Sequence, residues 1–179
     1  MATTRNLPLA ERTALLQQSN IRAVTEQVNA VDGINLGQGI CDLPTPAPIK
    51  QRAQAAIADD RSIYSHYAGI ETLRAGILRK VQTYNALPAA SVDEVMVSVG
   101  ATGAFTTAAL TLLDPGDEVV LFEPFYGYHR KLLELVGAVP RYVTTHAPDW
   151  TVDFDALEAA LTPRTKALVV NTPANPSGK

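Results

Sequence analysis

Three short stretches of the sequence combine residue types that could do chemistry. In Gly100-Ala101-Thr102-Gly103, small residues can bring the backbone N–H groups at the start of a helix close to a ligand, where the dipole favours an anion. Thr102 adds a hydroxyl donor. The same four residues also suit a plain tight turn with Thr102 as a helix cap. Glu123-Pro124-Phe125-Tyr126-Gly127-Tyr128 offers aromatic rings that could stack on a flat ring ligand or pack as core and rim. Asn171-Thr172-Pro173-Ala174-Asn175-Pro176-Ser177-Gly178 sets two asparagine amides on a path stiffened by two prolines, and read without context it is a turn.

Other chemistries find less support. Gly37-Gln38-Gly39 lacks the third glycine of a dinucleotide fingerprint, and Pro173 stands where a P-loop ending at Gly178-Lys179 needs glycine. His66, His129 and His146 lie far apart, with no metal-ligand spacing, so no metal is expected. Cys41, beside Asp42, reads as a small packed residue, and as the single cysteine it leaves no internal disulfide framework. No serine lies in a nucleophile-elbow pattern. The formal net charge of −3 and the lack of a basic stripe argue against nucleic acid as main partner. The opening residues MATTRNLPLAERTALL hold no apolar run long enough for a signal peptide or membrane span, so the expected location is the cytoplasm.

The elements that must position these stretches follow from the hydrophobic pattern. The chain has 179 residues, 46% hydrophobic and 18% charged, which suits a soluble globular unit able to bury a real core. Ile21, Val24, Val28 and Val31 recur at helical spacing and predict a helix over 9–31, stopped by Gly33. Pro44, Pro46 and Pro48 forbid a regular ladder over 34–48. Beyond these, helices are expected at 49–58 and 70–86, the latter carrying Leu73, Ile77, Leu78 and Val81 on one side. A strand at 94–99, a helix at 101–113 and a strand at 118–122 follow. A helix at 126–137, a strand at 139–145, a helix at 154–161 and a strand at 166–170 complete the row. Strands alternating with helices imply an α/β fold with parallel pairing and right-handed crossovers. The apolar runs VMVSV and KALVV predict a sheet covered on both faces. In such sheets ligands sit at the carboxyl ends of the strands, where all three stretches fall.

Five strings, in order, resemble the class I/II aminotransferases of fold type I, which depend on pyridoxal 5′-phosphate (PLP). They are INLGQGICDLPTP (34–46), IYSHYAGIETLR (63–74), VSVGATGAF (97–105), LLDPGDEVVLFEPFY (112–126) and TPRTKALVVNTPANPSGK (162–179). Together they cover roughly residues 20–179. The wording of the first is similar to the branch with aspartate-, methionine- and kynurenine-type aminotransferases.

The resemblance implies a three-layer α/β/α large domain with a mostly parallel sheet, incomplete here. Residues 1–48 would form an N-terminal arm and small-domain segment, and 49–179 the first part of the PLP-binding domain. Ala101 and Thr102 would hold the cofactor phosphate, and Tyr126, rather than adjacent Phe125, would stack on the pyridine ring. Asn175 would hydrogen-bond the phenolic oxygen. Tyr64 would reach the phosphate across a homodimer interface, and Gly39 would line the side that takes the substrate carboxylate. The substrates implied are an amino acid and a 2-oxo acid. The family also uses a Schiff-base lysine, a carboxylate at the pyridine nitrogen and a substrate arginine, all downstream of the asparagine loop. None of Lys50, Lys80, Lys131, Lys166 and Lys179 matches that lysine. The expectation is therefore an N-terminal portion that is poorly stable alone, binds PLP weakly and lacks a catalytic residue of its own. A PLP-dependent carbon–sulfur lyase and a catalytically dead fragment are the alternatives.

Overall fold

The computed structural model describes residues 8–15, 20–39, 41–88 and 91–179. Helices α1 (Asn20–Ala30), α2 (Ala47–Ala58), α3 (Glu71–Thr83) and α4 (Gly100–Leu112) precede strand β1 (Glu118–Glu123). Helix α5 (Gly127–Leu135), strand β2 (Val139–Thr144), helix α6 (Phe154–Ala160) and strand β3 (Thr165–Val169) follow in regular alternation. Single 3-10 turns lie at Glu11–Leu15 and Val92–Glu94. Part of the expected 9–31 helix, residues 16–19, lies outside the described residues.

Local chemistry explains the boundaries. Helix α2 starts at a proline-flanked N-terminus and runs through alanines, which lose no side-chain freedom in a helix. Helix α6 is capped by Asp153, whose carboxylate accepts the backbone N–H groups of Asp155 and Ala156, each at 3.0 Å. Asp32, at φ +50°, takes the left-handed position after α1, whereas Gly33 was expected to supply that stop. Aspartate tolerates this region because its short side chain adds little crowding.

The two compact units of the chain are residues up to 27 with 102–179, and residues 28–101. In the first, the three strands form an all-parallel sheet in the order β2-β1-β3. With the right-handed crossovers that parallel strands take, this order assigns α5 and α6 to opposite faces, in keeping with the α/β/α layering expected. Val119 and Leu121 of β1 pack with Leu133 of α5 and Ala138, and Phe105, Leu113 and Phe125 close over them. Val120, on the other face of β1, is equally buried, as is Val143 of β2. Glu118 opens β1 fully buried, its carboxylate taken by Arg141, Arg164 and the Thr162 hydroxyl at 2.6–2.9 Å.

Residues 94–99 do not form the expected strand. Glu94 ends a 3-10 turn, and 95–98 run extended without a ladder partner among the described residues. A strand is made by its neighbour, and only the Val97 N–H, bonded to Ala68 O at 2.9 Å, finds one. The apolar runs are also less covered than expected: Val99 is 94% exposed, Val170 69% and Leu168 41%. These residues have no packing partner on those sides among the described residues.

Candidate functional site

Parallel pairing of β1 with β3 brings the loops after Glu123 and Val169 to one sheet edge. Helix α4 ends just before β1 begins and sets Phe105 on the core beside His129 at the start of α5, so the start of α4 lies toward that same edge. Its first residue, Gly100, has φ +69°, and no atom lies within 4 Å of where a Cβ would stand. The amides of Ala101 and Thr102 fall in the first turn, whose donors the helix itself leaves without acceptors. Thr102 lies inside the helix and is exposed, so it is not the cap that a plain turn would make of it.

The aromatic loop divides its two candidate rings between different tasks. Phe125 stacks on Tyr142 of β2, ring centroids 5.5 Å apart and planes 13° from parallel, and joins the core. Burial raises the Tyr142 phenol above its ordinary value. Tyr126 stands at the start of α5. It meets His129 edge-on at 5.4 Å and Tyr128 at 5.3 Å. His129 in turn lies 4.7 Å from the ring of Phe105 on α4. Thr102 and Phe105 are three residues apart on that helix and share a face. The chain Thr102–Phe105–His129–Tyr126 therefore links the open helix start to a ring not committed to the core.

His129 packs between the rings of Phe105 and Tyr126. Burial between the two rings lowers its pKa from the ordinary histidine value. Its position three residues after Tyr126 on a helix was the available signal. No group of three or more His, Cys, Asp or Glu among the described residues is placed to hold a metal ion.

The third stretch folds back on itself. The Ala174 N–H donates to Lys179 O and the Gly178 N–H to Ala174 O, both at 2.7 Å. The Thr172 hydroxyl donates to Lys179 O at 2.9 Å. Asn175 is exposed, and its carboxamide bonds no described residue. Tyr64 and Gly39 belong to the unit of residues 28–101. Tyr64 is fully exposed, and nothing lies within 4 Å of a Cβ built at Gly39. The residues of the 102–179 unit fit PLP in kind: the Thr102 amide and hydroxyl for a phosphate, a ring for a heterocycle, and an exposed carboxamide for a phenolate.

Comparison with known proteins identifies the family. The family model described as aminotransferase class I and II matches residues 31–179. The probable N-succinyldiaminopimelate aminotransferase of Mycobacterium tuberculosis is 39% identical over 151 residues, 83% of this chain and 38% of the relative. The aspartate/prephenate aminotransferase of Thermus thermophilus is 35% identical over 160 residues, 89% of this chain and 41% of the relative. Among solved structures, the Thermus thermophilus aspartate aminotransferase with maleate superposes with a TM-score of 0.88 at 32% identity, over 95% of this chain and 46% of that one. The chain thus spans less than half the length of these relatives.

Proposed function

This chain belongs to the class I and II aminotransferases, and we propose that it forms the phosphate- and ring-binding part of a PLP-dependent enzyme. That enzyme moves an amino group between an amino acid and a 2-oxo acid. The observation that carries the reading is the contact chain from α4 through Phe105 and His129 to Tyr126. It ties an anion-favouring helix start to an aromatic ring outside the core cluster. The similar proteins named above are all aminotransferases, which favours amino transfer over carbon–sulfur cleavage.

PLP, when bound, supplies the electron sink for chemistry at the substrate's α-carbon. In this reading the chain's own residues bind and orient. The amides of Ala101 and Thr102, with the Thr102 hydroxyl, neutralise a phosphate at the positive end of α4. Tyr126 fixes the plane of the pyridine ring, and Asn175 donates to its phenolic oxygen. Tyr64 serves the partner's phosphate in a homodimer, and Gly39 leaves room beside the substrate carboxylate. Residues 1–48 act as arm and small-domain segment, 49–179 as the start of the large domain, in a cytoplasmic enzyme.

Equilibrium dialysis with PLP tests the assignments. Thr102→Val should weaken binding about tenfold or more, the loss of one hydrogen bond to a charged group at about 1.5–3 kcal/mol. Tyr126→Ala should weaken it too, whereas Tyr126→Phe keeps the ring and should not. Wild-type affinity in Thr102→Val, Tyr126→Ala and Asn175→Ala alike would remove the reading.

A further inference from the structure

Arg74 lies on α3, its side chain only 11% exposed, and its fork is spent on backbone rather than on a carboxylate at close range. Nε donates to Val95 O at 2.8 Å and Nη2 to Val92 O at 2.6 Å, while the exposed Asp93 carboxylate stands 3.8 Å away. Those carbonyls flank the start of the extended run 95–98 that lacks a ladder partner. A largely covered guanidinium that meets two carbonyls at fixed separation fixes their positions, because its donors diverge from one rigid plane.

The run is held again further along. The Val97 N–H donates to Ala68 O at 2.9 Å. Gly69, at φ +105°, approaches so closely that a Cβ there would stand 2.6 Å from Val97 Cγ2. Ser98 closes on Gly100, its hydroxyl donating to Gly100 O at 3.1 Å while the Gly100 N–H donates to Ser98 O at 3.0 Å. From Val95 to the Ala101 amide, the chain is thus pinned at its base, its middle and its end, and Arg74 supplies the base.

We infer that Arg74 is a positioning residue for the phosphate seat: it fixes the run from Val95 that presents the Ala101 amide at the start of α4. The inference rests on the reading of that turn as a phosphate site. Nothing requires Arg74 to touch the cofactor. Lysine at this position reaches one carbonyl but not both, so it restores part of the effect.

The test compares PLP with pyridoxal, which lacks the phosphate, on the full chain, with amide hydrogen exchange read over 95–101. The wild type should prefer PLP. Arg74→Gln should lose about tenfold in PLP affinity, of the order seen when a group supporting a contact residue is removed. Its pyridoxal affinity should be unchanged and its exchange over 95–101 faster, with Arg74→Lys in between. An Arg74→Gln protein that keeps the wild-type preference overturns the inference, as does an equal loss for both ligands. A wild type without any preference removes the phosphate reading itself. Should Arg74→Gln not fold, Arg74→Lys decides by the same measurements: a reduced preference supports the inference and an unchanged one refutes it.

Discussion

Glu118 is a buried charge whose three partners come from two other segments, and its effect on stability follows from them. Hydrogen bonds from Arg141, Thr162 and Arg164 lower its pKa from 4.5 to about 2. A carboxylate depressed in the folded state adds stability that is complete above its unfolded pKa and is lost as pH falls toward the folded one. The window is therefore about pH 4.5 to about 2. Glu118→Gln should melt lower at pH 7 and flatten the pH dependence of melting within that window, which calorimetry at pH 7, 4 and 3 checks. At the ligand side, the lysines give a second residue-scale expectation. Lys80 is spent on Asn85 at 2.8 Å and on the ring of Tyr84, and Lys166 lies within a strand. Borohydride added with PLP should label no single lysine stoichiometrically, as mass spectrometry of the peptides will report. Stoichiometric capture at one position would reverse this view of the lysines.

At the level of elements, Asp153 and Gly69 make the sharpest cases. Asp153→Ala removes the carboxylate that accepts two first-turn N–H groups of α6 and should cost about 1 kcal/mol. That is roughly 2–4 °C in melting temperature for a chain of this size. Gly69→Ala forces a Cβ into Val97 at a φ that side chains rarely adopt, and should cost about 2 kcal/mol or more. Adding Val97→Ala should recover the steric part and leave the backbone part, a split that denaturant melts can resolve. These positions also show what a sequence discloses. The alternation from α4 to β3 was legible because each segment carries its own period and its own breaker, as at Asp114-Pro115-Gly116-Asp117. Residues 94–99 misled because VMVSV has a strand's composition, while strandhood depends on a neighbour elsewhere in the chain. Arg74 and Glu118 were silent for a related reason. Their partners lie 18–46 residues away, and both of Arg74's are backbone carbonyls that no side-chain pattern announces. Of the candidate site, the loops were legible by resemblance, and the roles proposed for their residues come from that resemblance alone. His129 was not, since its part is to touch two rings that only packing brings to it.

Across the whole molecule, burial is unevenly shared. Of the described residues in 28–101, Ala68 alone is fully buried, whereas the other unit holds Ala109, Val119, Val120, Leu121, Leu133, Ala138 and Val143. Apolar contact is what protects amides from opening, so the two units should not unfold together. Amides in α2 and α3 should exchange before those of β1, and mild proteolysis should cut within 28–101 first. Uniform protection in both units would refute that order. The sheet carries a further consequence. Both β2 and β3 are outer strands among the described residues, and β3 presents Leu168 and exposed Val170 beside its open edge. Such an edge recruits other chains through its free N–H and C=O groups, and apolar side chains strengthen the pairing. Leu168→Glu places a charge on that surface without removing a buried contact. It should raise the monomer fraction in sedimentation velocity and leave the exchange protection of β1 intact, whereas unchanged association would move the sticky surface away from β3.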